Sequence, residues 1–312
     1  MNVSVVIRCL NEERHLPTLL DWLRRQTRLA DEVVVVDSGS TDNTVKLACT
    51  AGARVVHIAP ADFSFGRALN LGASTSTGDV LVFASAHVYP FADTWLEKLV
   101  APFRDPAVAL AYGGQRGDWR SKFSERQIFA QWFPAESAAD QPHPFCNNAN
   151  AAIRRSVWTT MPYDEDIPGL EDIHWAKRAR QRGFRIAYVA DATVAHVHEE
   201  PYASIYRRYR REGMGLQAIT PGERMRLGHA LALCGRAVLA DVRAARAEGL
   251  FRQALGSIIR FRSAQYWGTF RGLNWRTPLT DEVRARLYYP PAMPAAPSEV
   301  PLPSSKGLRD RT

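Results

Sequence analysis

DEVVVVDSGSTDNT, residues 31–44, reads as a buried strand that ends in an acidic turn and feeds a helix. The valine run from Val33 to Val36 suits a strand covered on both faces. Asp37 closes the run, Ser38, Gly39 and Ser40 favour a turn, and Thr41 or Asp42 can cap a helix over NTVKLACTAG that stops at Gly52. The pattern repeats on both sides. Val3 to Ile7 is a β-branched strand, and RCLNEE leads into an amphipathic helix from about Glu13 to Arg25, with Leu16, Leu19, Leu20 and Leu23 on one face. ARVVHIAP is a third strand, FGRALNLGASTSTG a helix from about Phe65 stopped by Gly78, and DVLVFASA a fourth strand. The helix ADTWLEKLVAPFRD and the strand AVALAYGG follow. Strands and helices alternating at this spacing imply βαβ units, an α/β fold with a mostly parallel sheet flanked by helices. Ligands of such sheets bind beyond the carboxyl ends of the strands. Arg8 to Asn11, Asp37 to Asp42 and Ser85 to His87 all fall at such ends.

The second half is less regular. SERQIFAQWFP is read as a helix, PFCNNANAAIRRSVW as turn, short strand and helix, and GLEDIHWAKRARQRG as a helix stopped by Gly183. FRIAYVADATVAHVHEE gives two short strands and a polar exit, and residues 202–270 are largely helical and rich in Arg, Ala and Leu. The expected organisation is a domain over 1–215, a helical C-terminal extension over 216–276 and a Pro-rich disordered tail over 277–312.

Bulk properties narrow the partners. The chain has 312 residues and a net charge of +8, from 40 Lys and Arg against 32 Asp and Glu. That favours an acidic partner such as a nucleotide or a phospholipid surface. No aromatic-basic RNA motif or zinc pattern supports nucleic acid. Cys9, Cys49, Cys146 and Cys234 lack C-x-x-C spacing and are read as reduced thiols of a cytoplasmic protein. The N-terminus reads as a first strand rather than a signal peptide, and no run is long and apolar enough to span a bilayer. Membrane contact, if made, is peripheral, at the inner face.

Taken in order, VSVVIRCLNEERHLPTLLDWLRRQ, DEVVVVDSGSTDNT, GRALNLGASTSTGDVLVFASAHVYP and PGLEDIHWAKRARQRGFRIAYVADATVAHVHEE resemble the family 2 glycosyltransferases with the GT-A fold, over about residues 1 to 210. The resemblance implies transfer of a sugar from a nucleotide-diphosphate sugar to a saccharide or lipid-linked acceptor, with inversion and with a divalent metal, Mn²⁺ or Mg²⁺. It places Arg8, Asn11, Glu12, Arg67, Asn70 and Ser85 on the nucleotide and Asp37 on its base. The family's D-x-D motif, which binds ribose and metal, is replaced by Ser85-Ala86-His87. Aligned on Pro90, His87 takes the metal-binding position, as in rhamnosyltransferase-like members that keep one Asp there. Glu171-Asp172 matches the E-D motif whose Asp is the catalytic base. ATVAHVHEE matches the segment that supplies a histidine to metal and diphosphate, His196 first and His198 second.

The residues themselves leave alternatives. Glu171 and Asp172 suit a general base near a helix N-terminus, or simply complement the helix dipole. His87 and His196 could hold Mn²⁺ or a similar ion, hydrogen-bond phosphates without metal, or be structural; imidazole matches Mg²⁺ poorly. Asn147, Asn148 and Asn150 in FCNNAN could meet acceptor or sugar hydroxyls, or form a turn. Arg207, Arg210 and Arg211 in YRRYRREG could contact phosphate or an anionic membrane, or form a solvated helix face. The helices over 223–275 could pack on the core or enter a membrane interface. Two functions follow: an inverting transferase of cell-surface polysaccharide or glycolipid synthesis, and a catalytically inactive module that binds nucleotide sugar. A nucleotidyltransferase would need a Gly-rich phosphate loop, which RCLNEERH lacks.

Overall fold

A computed structural model of the chain describes residues 1–289. Its strands are β1 (Val3–Cys9), β2 (Glu32–Asp37), β3 (Arg54–His57), β4 (Val80–Ser85), β5 (Val88–Pro90), β6 (Val108–Arg116), β7 (Asn150–Arg154) and β8 (Arg185–His196). Among the described residues they form one sheet in the order β3-β2-β1-β4-β7-β6-β8-β5. Only β7 and β5 run against the rest, so the sheet is mostly parallel. Alternate side chains supply two cores. Val3, Val5, Ile7, Val35, Val80 and Val82 meet helices α1 (Leu16–Arg24) and α4 (Trp95–Val100) on one face. Val6, Val34, Val36, Leu81 and Phe83 meet α3 (Phe65–Thr75) and α7 (Glu171–Gln181) on the other. This two-sided burial explains why the strands read as unbroken apolar runs.

Several boundaries differ from expectation. Helix α1 starts at Leu16 rather than Glu13, because Pro17 fits only in a first turn. Helix α3 ends at Thr75, before Gly78, where the Ser76 hydroxyl bonds the Gly72 carbonyl. Residues 185–196 form one strand, not two, with an irregularity in its pairing to β6 between Gly113 and Gln115. Asp42 does act at the start of α2 (Thr44–Thr50), accepting the Thr44 N–H at 2.9 Å.

Helix α8 (Tyr202–Ile219) runs unbroken through the expected boundary at 215. Helices α9 (Leu227–Ala247) and α10 (Phe251–Leu273) form a hairpin that packs on α8 and on α5 (Phe123–Trp132). The α8–α10 crossing is close enough that a Cβ on Gly272 would lie 2.2 Å from the Arg210 carbonyl. The remaining helices are α2, α6 (Arg155–Thr160) and α11 (Asp281–Tyr288). Helix α11 falls inside the stretch expected to be a disordered tail, and that expectation fails there. Tyr288 and Tyr289 pack edge-on against Phe63, with ring centroids 5.2 and 5.7 Å away. The expected tail from 290 onward lies outside the described residues. No described helix is long and apolar enough to cross a membrane.

Candidate active site

Strand β1 lies between β2 and β4, so the connection after β1 and the connection after β3 lead to opposite sides of it, and a crevice opens at the strand ends. The register brings Arg8 level with Ser85 and Cys9 level with Asp37. A cleft of about 510 Å³ opens here. Of the residues singled out in the sequence, Arg8, Asn11, Glu12, Ser85, His87, Asn147, Asn148, Glu171, Asp172, His196, His198 and Arg211 line it.

One part of the lining is a histidine cluster. His87 occupies the turn between β4 and β5, and the β5–β8 pairing sets it beside His196, the last residue of β8. The ligand atoms of His87, His196 and His198 all lie within 4.8 Å of one another. Each ring is held through Nδ1: His87 by Glu12 Oε1, His196 by Gln115 Oε1 and His198 by Glu125 Oε1, each at 2.8 Å. That leaves each Nε2 for another partner, and Nε2 of His196 is buried with none. A buried, unpaired imidazole nitrogen is costly unless a ligand satisfies it. Rings fixed by an acceptor at one nitrogen and convergent at the other are the usual build of a metal site. The donor set therefore fits a divalent metal, and nitrogen donors suit Mn²⁺ or a later transition ion better than Mg²⁺.

A second part is acidic. Glu171 and Asp172 form the first turn of α7, entered through Leu170 in the left-handed region at φ 61°. Such backbone is rare for leucine and costs of order 1–3 kcal/mol. The only other non-glycine residue with positive φ among those described is Asn11, also in the cleft. Asp172 is buried and accepts the N–H groups of Asn148 at 3.1 Å and Ile173 at 2.8 Å. Burial, and then the charge of Glu171, push its pKa up to about 7, against the pull of those N–H groups and of Arg8. Arg8 lies 3.9 Å from Glu171. Arg8 and Arg211 both lie over the Phe65 ring, at 4.7 and 4.6 Å, and both carry buried nitrogens that make no hydrogen bond.

Several anticipated residues have partners within the protein. Asp37 is buried at the β2 end and binds the N–H groups of Gly39 and Ser40, holding the DSGS turn. Asn11 accepts the Thr41 N–H at 2.8 Å and ties the β1 exit to that turn. Glu12 stands behind His87 rather than facing outward alone. Arg67 binds Glu165 at 2.8 Å, and Asn70 is engaged by Tyr163, Glu165 and Trp158, so neither reaches the cleft. Asn150 is fully buried, bonded to Trp95, Gly114 and Ala192, and is a core amide rather than a sugar contact. In the basic run only Arg211 lines the cleft along with Arg208; Arg210 covers Trp275 and Arg207 bonds Ser204. Gln115, Glu125 and Phe65 were not anticipated. Gln115 is the penultimate residue of β6 and so also sits near a strand end, a signal present in the sequence.

The sequence profile described as Glycosyl transferase family 2 matches residues 4–160. The chain belongs to this family and is a glycosyltransferase. It is 29% identical over 222 residues to the O-antigen chain rhamnosyltransferase RfbN of Salmonella typhimurium, covering 67% of this chain and 70% of that one. It is 29% identical over 199 residues to the O-antigen chain rhamnosyltransferase WbaN of Salmonella anatum, covering 60% and 62%. The fold matches a mannosyltransferase from Pyrobaculum calidifontis in complex with GDP-Man and Mn²⁺ (TM-score 0.63, 19% identity, 88% and 87% covered). It also matches glucosyl-3-phosphoglycerate synthase of Mycobacterium tuberculosis in complex with Mn²⁺, UDP-glucose and phosphoglyceric acid (TM-score 0.53, 25% identity, 70% and 79% covered).

Proposed function

We propose that the chain transfers a sugar, a deoxyhexose such as rhamnose by analogy with its relatives, from a nucleoside-diphosphate donor to a hydroxyl of a saccharide or lipid-linked acceptor, with inversion. The observation that carries this reading is the raised, buried carboxylate of Asp172 in the same cleft as the histidine cluster. Inversion needs one base that takes the acceptor proton as the oxygen attacks the anomeric carbon. Asp172 suits that role: near-neutral basicity matches the proton affinity the step requires, and two backbone N–H groups fix its orientation. Glu171 keeps that basicity high, and Arg8 restrains Glu171. The unpaired Asn148 Nδ2 can donate to a sugar hydroxyl. Arg8 and Arg211 bring guanidinium charge toward the departing diphosphate, where charge develops.

His87, His196 and His198 would hold the divalent metal; when bound it supplies positive charge for the diphosphate leaving group. An inactive nucleotide-sugar module lacks support, since base, cations and nitrogen donors all line one cleft. A panel of nucleotide sugars with a saccharide acceptor tests the reading. Wild type is expected to transfer one donor, with NMR showing the opposite anomeric configuration in the product. Asp172→Asn is expected to lose about 10²–10⁴-fold in kcat. Full activity in that variant would refute the assignment.

A further inference from the structure

The α9–α10 hairpin lies outside the catalytic cleft and carries most of the chain's charge imbalance. Residues 221–276 contain ten arginines, no lysine and three acids, a net +7 against +8 for the whole chain. The three acids are accounted for away from the exposed helix faces. Asp241 is buried in a two-pronged pair with Arg262, at 2.7 Å for both bonds. Glu248 sits in the turn between the helices beside Arg126, and Glu223 precedes α9. Helix α10 has no acidic residue from Phe251 to Leu273.

The outward faces mix cations with bare hydrophobic side chains. On α9, Leu231 is 63% and Leu239 56% exposed, with Arg236 and Arg243 on the exposed side. On α10, Ile259 is 47% and Trp267 46% exposed, among exposed Arg252, Arg260 and Arg271. Five of the nine large hydrophobic residues exposed among those described belong to this hairpin. Its core contacts do not need them: Ala245, Ala254 and Ile258 already pack against Phe123. Exposed leucine and tryptophan ringed by arginine, with no carboxylate on the face, match the chemistry of an anionic lipid surface. A second copy of the chain is a poorer fit, because two such faces repel.

We propose that the outer faces of α9 and α10 dock the protein on an anionic phospholipid surface. This is independent of the transferase chemistry and concerns where it takes place. The test is flotation of the full-length chain with vesicles, without donor or acceptor. Vesicles of phosphatidylcholine alone are compared with vesicles containing phosphatidylglycerol. Binding is expected only to the anionic vesicles and should weaken as salt rises, since salt screens the charges. The paired variants Leu231→Glu/Leu239→Glu and Ile259→Glu/Trp267→Glu should each weaken binding by at least about tenfold. Their melting temperatures and sugar transfer to a soluble acceptor should stay as in wild type. Failure of wild type to float with anionic vesicles at low salt overturns the proposal. So does undiminished binding by both variants, or a wild-type dimer by light scattering that both variants make monomeric. Absence of sugar transfer by wild type with vesicle binding intact would count against the transferase reading, not against this surface.

Discussion

Burial and the neighbouring Glu171 give Asp172 a stability cost at neutral pH. An acid whose pKa rises on folding holds its proton more tightly in the native state. Native stability therefore declines as pH climbs from the unfolded value near 4 to about 7, and stays lower above that. Asp172→Asn, uncharged at every pH, is expected to melt at a higher temperature than wild type at pH 8, with the gap closing toward pH 4. Calorimetric melts at the two pH values check this, and a gap that widens on acidification would contradict it. The same group sets a kinetic expectation. The acid limb of kcat/KM should lie well above the range of an exposed carboxylate, and Glu171→Gln should move it down, because it removes the second-largest cause of the shift. A limb unmoved by Glu171→Gln would mean that another group titrates. Gln115 makes a third residue-scale case. Its Oε1 fixes His196, so Gln115→Leu is expected to weaken Mn²⁺ affinity by about 10–100-fold while leaving the fold intact.

At the scale of elements, the loop before α7 is clamped from outside the cleft. A Cβ on Gly215 of α8 would lie 2.0 Å from the Gly169 carbonyl, two residues before Glu171. Gly215→Ala must therefore displace the loop that presents Asp172, and kcat is expected to fall about tenfold or more, since small misplacements of reacting groups are costly. An unchanged kcat would show that the loop has slack. The hairpin depends on the buried Asp241–Arg262 pair. Asp241→Ala strands a buried guanidinium and should cost about 3–5 kcal/mol in chemical denaturation. Strands and helices of the first half were legible because each buries a periodic face, and the parallel order follows from their alternation. The reversal of β7, the helical character of 281–288 and the Asp241–Arg262 pair were not. Each depends on which distant element lies alongside, which local periodicity does not encode.

Across the whole molecule, the site was legible where topology gathers it and obscure where long-range packing does. Arg8, Asp37 and Ser85 could be placed at one end of the sheet because they end successive parallel strands. Glu125 and Gln115 could not be assigned behind His198 and His196, since they arrive from α5 and β6, 73 and 81 residues away in the chain. Arg67, Asn70 and Asn150 have the residue types of a binding site, yet packing turns their polar groups toward other protein atoms. Where the family resemblance leads one to expect two carboxylates, the sequence has Ser85-Ala86-His87, and the fold sets two further histidines beside His87. Equilibrium Mn²⁺ binding to the full-length chain with a nucleoside diphosphate, read by electron paramagnetic resonance of the free ion, decides whether they replace the carboxylates. One bound ion per chain is expected, with affinity falling at least about 10²-fold in His87→Ala/His196→Ala. Wild-type affinity in that double variant would contradict a histidine-held metal.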